Sequence, residues 1–223
     1  MNEFIPHDLA PQIRERGWIH LRGAGTKASL VDQALYVGKL LGDPMPGRQG
    51  RVIETLVPTP SERANPKSLS NQHGIGAFPL HIDGAHRLWP PHFILLACER
   101  PGSTPVPTVL ARFSDLQSHI AERGQCESVT FLIRNGRQSF YSTIIDRARP
   151  FVRFDPGCMT PICANGQKIL ATIALWGGDV PTTAVNWQRG DILVIDNWRV
   201  LHGRGTTKYV TCQDRSLLRV SIQ

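Results

Sequence analysis

The sequence lacks any apolar run long enough to cross a membrane. No run approaches the roughly 18 apolar residues that a spanning helix needs, and the first residues, MNEFIPHDLAPQIRERGW, contain an early acid and no apolar core segment. A signal peptide is therefore not predicted, and a cytoplasmic location is expected. With 41% hydrophobic and 19% charged residues, the composition predicts a folded globular protein.

Paired cysteines and clustered basic residues are also missing. The five cysteines are scattered and form no CxxC pair, which favours reduced, buried thiols over a zinc site. The formal net charge is +7, but the 25 basic residues, 20 of them arginine, are spread along the chain. This distribution argues against nucleic-acid binding. Arginine also binds small carboxylates and phosphates bidentately, so a small-molecule partner is expected.

No repeat, low-complexity tract or linker divides the chain, so one domain covering residues 1–223 is predicted. Residues 1–76 are interpreted as an α/β N-terminal cap and lid region, because helix and strand patterns alternate there before a stretch rich in Pro, Gly, Ser and Asn. The elements predicted in this region are helices at 7–19 and 28–41 and strands at 17–25 and 51–57.

Short apolar or alternating runs, punctuated by Gly and Pro, dominate residues 77–223. They predict strands in FPLHID, HFILLAC, TVLARF, VTFLIR, FVRFD, DILVID and LLRVSI, with helical segments at 113–123 and 165–175. The predicted fold is mainly β with flanking helices, and residues 77–223 would form an antiparallel barrel or jelly roll.

The stretch FPLHIDGAH contains a candidate pair of metal ligands. Side chains at i and i+2 of a strand share a face, so His81 and Asp83 would point together and Ile82 the other way. His202, which follows an apolar strand and a turn, is the best third ligand, and the set would form a facial triad with open positions. His86 is the main competitor, and the alternative is a core histidine bonded to a nearby carboxylate.

Two arginines near the C-terminus add a requirement for an anion. In RSLLRVSI, Arg215, Leu217 and Arg219 share one face of the predicted strand. An arginine inside a barrel must be paired, because a buried lone cation is very costly. This strand offers no acid, so a bound dicarboxylate is one solution. An arginine at the surface, or paired structurally, is the alternative for each position.

The order of H-x-D, a distal histidine and an arginine 13 residues later resembles the Fe(II)/2-oxoglutarate-dependent dioxygenases, in particular the taurine dioxygenase/TfdA group and the related clavaminate synthase-like enzymes. LHIDGAHRLWPPHFILLAC, WQRGDILVIDNWRVLHGR and RSLLRV carry the resemblance, which is looser in the N-terminal third and at 126–165. It implies a double-stranded β-helix (a cupin-like jelly roll) with Fe(II) held by His81, Asp83 and His202. It also implies 2-oxoglutarate and O2 as co-substrates.

The same resemblance implies which residues bind 2-oxoglutarate. Arg215 would pair with its distal carboxylate, and Thr108, 25 residues after Asp83, would bind the same group, with Thr104 as a rival. Hydroxylation of a C–H bond is the implied reaction, with desaturation and cyclisation as variants. Because the related halogenases lack the metal-binding carboxylate, Asp83 implies that no halogenation occurs.

Four residues are candidates for substrate binding. Arg219 matches a position that can contact an anionic substrate group in the taurine-type enzymes. Asn71 and Gln72 precede the predicted metal strand, and Arg153 would either pair with Asp155 or face the site. These residues suggest a polar substrate such as an amino acid. An oxygenase acting on a protein or carrier-tethered substrate, and a non-catalytic cupin-like metal-binding module, are the alternative functions.

Residues before the distal histidine have expected structural roles. Asp196 and Asn197 would stabilise the turn before His202 by bonding to nearby backbone, with a bond to a metal ligand as a further option. Trp198 is expected to pack against the fold, with lining the entrance to the site as the alternative.

Overall fold

A computed structural model describes residues 9–23, 28–47, 50–66, 68–119, 125–134, 136, 138–175, 181–206 and 214–223. The helices in these ranges are α1 Leu9–Arg16, α2 Leu30–Leu41, α3 Leu69–His73, α4 Phe113–His119, α5 Gln125–Ser128 and α6 Ala164–Leu175, with a 3₁₀ turn at Ser61–Arg63. The strands are β1 Trp18–Leu21, β2 Pro44–Met45, β3 Ile53–Leu56, β4 Phe93–Arg100, β5 Thr108–Arg112, β6 Phe131–Ile133, β7 Phe140–Ser142, β8 Met159–Pro161, β9 Thr183–Val185, β10 Ile192–Asp196, β11 Val200–Arg204 and β12 Ser216–Ile222.

Three antiparallel sheets form the scaffold. The largest has six strands in the order β1-β10-β4-β12-β2, and β3 also pairs with β12. A second sheet has the order β11-β5-β9, and a third has the order β7-β6-β8. All the ladders between these strands are antiparallel. The sheets confirm the prediction of a mainly β fold with flanking helices.

An apolar layer joins the six-stranded sheet to the β11-β5-β9 sheet. Its buried side chains come from both sheets: Ile94, Leu96, Cys98, Leu193, Ile195 and Leu217 from the first, and Leu110, Val185 and Val200 from the second. Residues that alternate along a strand share a face, so the inward set on β11 also includes His202 and Arg204. Two sheets packed face to face are the arrangement that a jelly roll requires.

Helices α1 and α2 cover the other face of the large sheet. Leu9 and Ile13 of α1 and Ala34 and Val37 of α2 belong to an apolar cluster that also contains alternate residues of β4, β10 and β12. Helix α2 begins after Ser29, whose hydroxyl accepts a hydrogen bond from a first-turn amide. The third sheet packs with α4 and α6 around a separate cluster that includes Ile82 and Leu201.

The prediction of a strand in FPLHID is wrong in part. His81 forms an isolated antiparallel bridge to His202, the amides of Phe78 and Ile82 donate to single carbonyls of Arg204 and Phe154, and residues 83–86 form a turn, so no continuous strand results. Pro79 has no amide hydrogen to donate to a ladder. Gly84 has φ +73, a left-handed conformation that ends an extended run. Strand alternation therefore does not place Asp83, although its side chain does lie beside His81.

Other predicted elements match with shifted ends. The predicted helices at 28–41 and 165–175 correspond to α2 and α6, whereas FVRFD makes only one isolated bridge, between Ile145 and Val152. The predicted helices at 7–19 and 113–123 correspond to α1 and α4, with residues 7–8 and 120–123 outside the described residues. None of the described helices is both long enough and apolar enough to cross a membrane.

Strands from the first 76 residues belong to the same sheet as the later strands. β1 pairs with β10, and both β2 and β3 pair with β12. The predicted cap and lid region at 1–76 therefore shares its main sheet with the predicted jelly-roll core at 77–223. The boundary between them stays a prediction.

Asp191, just before β10, joins the start of that strand to the end of β1. Its fully buried carboxylate lies 3.0 Å from His20 Nε2 and accepts hydrogen bonds from Arg22 Nη1 (3.2 Å) and from the amides of Gly23 (2.9 Å) and Gln188 (3.0 Å). Burial alone would raise the pKa of Asp191, but the two amide donors and His20 lower it below its ordinary value.

Replacing Asp191 by Ala leaves these donors without an acceptor, so we expect Asp191→Ala to lower the free energy of unfolding by about 3 kcal/mol. Because the pKa is depressed in the folded state, this contribution is present above the unfolded pKa, about 3.9, and is lost as pH falls through the folded value. Urea denaturation at pH 7 and at steps toward pH 3 measures both effects.

The exposed ion pair between Asp115 and Arg112 provides the control, and Asp115→Ala should lower the free energy of unfolding by less than about 1 kcal/mol. Equal losses in the two variants would contradict the prediction.

Candidate metal centre

His81, Asp83 and His202 converge on one point inside the protein. Within the described ranges they are the one group of at least three His, Cys, Asp or Glu residues whose ligand atoms all lie within 4.8 Å of one another. Asp83 Oδ1 is 3.7 Å from His81 Nε2 and 3.9 Å from His202 Nε2. Donor atoms that share one ion at about 2.1 Å lie roughly 3 to 4.2 Å apart, so the spacing fits a metal ion. His86, the competing ligand, is not in this group.

A main-chain bridge sets the two histidines side by side. The amide of His81 donates to the carbonyl of His202 (3.0 Å), and the amide of His202 donates back (2.9 Å). The two imidazole centroids are 4.7 Å apart. The close approach requires a glycine next to His202, because a Cβ on Gly203 would lie 2.6 Å from the carbonyl oxygen of Phe78 and 3.0 Å from that of Pro79.

The hydrogen bonds of the imidazoles fit metal binding through Nε2. His81 Nδ1 is 2.9 Å from the carbonyl oxygen of Pro79, an acceptor that requires the proton on Nδ1 and leaves the Nε2 lone pair directed toward Asp83. His202 Nε2 likewise faces Asp83, while its buried Nδ1 has no hydrogen-bond partner within the described part of the chain. Both Nε2 atoms can therefore act as ligands.

The pKa values of the two histidines move in opposite directions. Burial alone would lower the pKa of His81, but the nearby carboxylate of Asp83 and the charge of Asp155 raise it. Burial, with the neighbouring His81 and Arg219, lowers the pKa of His202 to about 3. A metal binds neutral imidazole, so metal binding would release the proton that Asp83 favours on His81.

The two carboxylate oxygens of Asp83 have different neighbours. One oxygen, Oδ1, faces the imidazoles, and the other, Oδ2, accepts a hydrogen bond from Arg219 Nη1 (2.8 Å). Burial alone would raise the pKa of Asp83, but the charge of Arg219 and the two histidines hold it well below its usual range. With one oxygen held by arginine, the other is free to serve as a single metal ligand.

Arg219 links Asp83 to Glu54. Arg219 on β12 lies directly opposite Glu54 on β3. Glu54 Oε2 accepts hydrogen bonds from Arg219 Nη2 (2.7 Å) and Nε (3.2 Å). The charges of Asp83 and then Glu54 raise the pKa of Arg219 above its ordinary value. Arg219, a predicted substrate residue, therefore lies between a candidate metal ligand and a second carboxylate.

The predicted 2-oxoglutarate residues lie near one another. Arg215 is buried, and its Nη1 donates to the carbonyl of Val106 (2.9 Å), two residues before Thr108. Thr108 is buried and accepts a hydrogen bond from Trp187 Nε1 (3.1 Å). Thr104 is buried as well. Co-substrate binding by Arg215 and by one of the two threonines stays a prediction.

The contacts of Arg153 do not support the predicted substrate role. Its guanidinium donates to the carbonyls of Ala85, Arg87 and Leu88, in the turn after Asp83. Burial lowers the pKa of Arg153 to about 10, which leaves it protonated at neutral pH. Its sequence context, VRFDPG, gave no indication of partners some 65 residues away.

Asn71 and Gln72 are exposed on α3, and Asn71 Nδ2 donates to the carbonyl of Ser61 (3.3 Å). Substrate binding by these two residues stays a prediction. Trp198 packs as expected: it stacks on His92 at 3.9 Å between centroids and donates from Nε1 to the carbonyl of Pro90 (3.1 Å).

Two further residues bear on the site. Glu54 is not among the residues predicted from the sequence, although it is the one acid in the apolar strand run RVIETLV. Asn197 was expected to bond to backbone near the turn before His202, with a bond to a metal ligand as a further option. Its side-chain amide in fact bonds to the backbone N–H and C=O of Asp83.

Comparison with known proteins agrees with this geometry. The family model described as taurine catabolism dioxygenase TauD, TfdA family, matches residues 122–221. No curated protein matches the sequence at a significant level. The chain resembles the TauD/TfdA superfamily, and its fold is that of solved Fe/α-ketoglutarate-dependent oxygenases.

Three solved structures illustrate the shared fold. Asparagine oxygenase, in complex with Fe(II), 2S,3S-3-hydroxyasparagine and succinate, has a TM-score of 0.74 and 18% identity over 95% of this chain and 77% of its own. The non-heme iron oxygenase OrfP, with Fe and α-ketoglutaric acid, has a TM-score of 0.65 and 21% identity over 95% and 76% of the two chains. PvcB from Pseudomonas aeruginosa has a TM-score of 0.65 and 20% identity over 96% and 78%.

Adding a methyl group at Gly203 tests the main-chain bridge. We expect Gly203→Ala to lower the free energy of unfolding by about 1–3 kcal/mol, because the new Cβ would overlap two carbonyl oxygens and push the two histidines apart. Gly38→Ala, in the middle of α2, is the control: its Cβ would have its nearest neighbour at 3.6 Å, an ordinary contact. Chemical denaturation should show Gly38→Ala to be neutral or stabilising by up to about 1 kcal/mol. An equally stable Gly203→Ala would argue against the close approach.

Proposed function

We propose that this chain is an Fe(II)- and 2-oxoglutarate-dependent oxygenase that hydroxylates a C–H bond of a small polar substrate of the amino-acid type, with desaturation or cyclisation as variants. The convergence of His81, Asp83 and His202 between the sheets of a jelly roll carries this proposal. The resemblance to the TauD/TfdA superfamily and the fold shared with iron oxygenases support it.

The three side chains would hold Fe(II) through His81 Nε2, Asp83 Oδ1 and His202 Nε2. Two imidazoles and one carboxylate on one face of the ion are the set used by non-heme Fe(II) oxygenases, and they leave positions open for co-substrate. With the metal bound, oxidative decarboxylation of 2-oxoglutarate by O2 yields succinate and CO2 and supplies the oxidising power for the C–H bond. The protein orients the partners and limits access of water.

Arg215 would bind the distal carboxylate of 2-oxoglutarate, with Thr108 or Thr104 donating a hydroxyl hydrogen bond to the same group. The planar guanidinium fork matches a carboxylate, and its buried charge favours an anionic partner. Arg215 and Thr108 both lie near Val106, so one end of a small dicarboxylate could reach both.

Glu54 and Arg219 would bind the amino and carboxylate groups of the substrate. They are oppositely charged, adjacent and directed to the interior beside Asp83. An α-amino acid carries the same two charges, so its ammonium group can bind Glu54 and its carboxylate Arg219 without leaving either residue unpaired. Complexes of asparagine oxygenase with hydroxyasparagine and of OrfP with (3S)-hydroxy-L-Arg are consistent with a substrate of this class.

The overall reaction is tested by succinate formation from 2-oxoglutarate with Fe(II) and O2. We expect Asp83→Ala and Arg215→Ala each to reduce the turnover by more than about tenfold, since one loses a ligand and the other the co-substrate anchor. His86→Ala, at the competing histidine, should keep wild-type turnover. Chromatography of succinate measures the rate, and product analysis in chloride buffer should show no chlorinated product.

Two results would contradict the proposed function. Unchanged turnover in Asp83→Ala would remove this residue from the iron site. Failure of the wild type to bind 2-oxoglutarate in an anaerobic titration with Fe(II) would favour a non-catalytic metal-binding module instead.

Replacing Glu54 tests the substrate class separately. In a panel of L-amino acids, we expect Glu54→Gln to raise the KM for the best substrate by about 10- to 100-fold, because a charged hydrogen bond to its ammonium group is lost. Slow turnover of 2-oxoglutarate without substrate should persist, since Glu54 is not a metal ligand. Glu15→Gln, on the exposed face of α1, is the matched control. A panel without any stimulating amino acid would contradict the proposed substrate class.

A further inference from the structure

The segment that carries Asp83 belongs to no helix and to no strand of a sheet. The last paired residues before it are His81, bridged to His202, and Ile82, whose amide donates to the carbonyl of Phe154 (2.8 Å). From there until β4 begins, the chain runs through turns and bends. The position of the Asp83 carboxylate must therefore depend on side chains that hold this loop, residues 83–91.

Asn197 closes the loop at both ends. Its Oδ1 accepts a hydrogen bond from the amide of Asp83 (2.8 Å), and its Nδ2 donates to the carbonyls of Asp83 (3.0 Å) and Pro91 (2.9 Å). Asn197 is fully buried directly after β10, and its own amide donates to the carbonyl of His92 (2.9 Å). One rigidly held amide group thus binds the first and last residues of the loop.

Arg153 holds the middle of the loop. It is 1% exposed, and its Nη1 donates to the carbonyls of Ala85 and Arg87 (the latter at 2.6 Å), while Nη2 donates to that of Leu88 (3.1 Å). Three carbonyls converge on one guanidinium, a task that its planar set of five donors suits and that an ammonium group could not match.

Apolar and aromatic groups surround the remaining faces of Arg153. The guanidinium carbon lies 5.0 Å from the ring centre of Phe140 and 5.2 Å from that of Phe151. Within the described ranges no carboxylate lies within salt-bridge distance of it, so the charge is balanced by carbonyl dipoles and ring faces. A buried cation without these carbonyls would be very costly. The loop and the arginine are therefore bound to each other strongly.

We propose that Arg153 and Asn197 are positioning residues that direct the Asp83 carboxylate toward the metal, Asn197 by fixing its backbone and Arg153 by fixing the turn that follows it. This inference rests on the proposed function for the identity of the metal site. Neither residue touches the ligand atoms themselves. Arg219 holds the other carboxylate oxygen, so a loosened loop would leave the carboxylate on Arg219 and away from the imidazoles.

Binding of Co(II), a spectroscopic substitute for Fe(II), to the whole chain without 2-oxoglutarate tests this inference. We expect Arg153→Met and Asn197→Ala each to raise the Kd for Co(II) by about 10- to 100-fold, the usual effect of losing an outer partner of a ligand. Their visible ligand-field spectra should shift toward that of Asp83→Ala, because both would lose the carboxylate ligand and keep the imidazoles. Arg153→Lys should recover part of the affinity.

Controls separate this inference from loss of fold and from failure of the proposed function. Circular dichroism and thermal melting identify the folded variants, and Asn197→Ala decides the matter if Arg153→Met does not fold. Arg147→Met, whose side chain is 85% exposed, should behave as wild type. Co(II) binding that is unaffected by His202→Ala would refute the metal site and the proposed function with it. Wild-type affinity and spectrum in folded Arg153→Met or Asn197→Ala, with binding still dependent on His202, would overturn the positioning role alone.

Discussion

The charge of the Asp83 carboxylate, held inside a jelly roll, is the constraint on which the rest of the site depends. A buried carboxylate is costly unless opposite charges and hydrogen bonds compensate for lost water. Here Arg219 binds one oxygen, and the imidazoles of His81 and His202 face the other. Burial holds His202 neutral, so the positive charge on the imidazole side is the proton that Asp83 favours on His81. A divalent metal ion between these three groups would replace that proton.

Two of the 20 arginines in this chain hold the backbone near the site. Arg153 and Arg204 both enter the interior and bind carbonyls of the segments on either side of His81. Arg204 also lies 3.9 Å above the ring of Phe78. A guanidinium can satisfy several carbonyls in one plane and stack on a ring, whereas an ammonium group cannot. Arg153 and Arg204 therefore stabilise the segments on either side of His81.

Residue types and their order were enough to identify the three side chains that converge, but not the local structure that brings them together. The apolar strands around His202 were predictable because their runs of Ile, Leu and Val are long and regular. The geometry at Asp83 was not, since FPLHID resembles a strand and yet Pro79 and Gly84 interrupt it. The right pair was therefore selected partly for a wrong reason: the turn, and not strand alternation, places Asp83 beside His81.

The partners of the loop were beyond sequence reasoning for a different physical reason. Asn197 and Arg153 bind backbone groups, and every residue offers a carbonyl while every residue except proline offers an amide N–H. No residue type at 85–88 signals that its carbonyl will meet a guanidinium from another segment. By contrast, Glu54 could have been recognised, because a lone acid on a strand between apolar residues needs a partner. Side chain to side chain pairs leave a trace in the sequence, whereas side chain to backbone contacts leave almost none.

Charge balance also limits what the proposed substrate can be. If Arg215 and the distal carboxylate of 2-oxoglutarate neutralise each other, the remaining groups are the divalent metal, the inner carboxylate of the co-substrate, Asp83, Glu54 and Arg219. Their formal charges cancel. A zwitterionic amino acid would leave this balance unchanged while exchanging the Glu54–Arg219 ion pair for two new ones. A dicarboxylate or a diamine without a counter-charge would add an unbalanced charge to this largely buried site, which is costly. On the proposed function, the site would therefore favour substrates whose charged groups near the metal sum to zero.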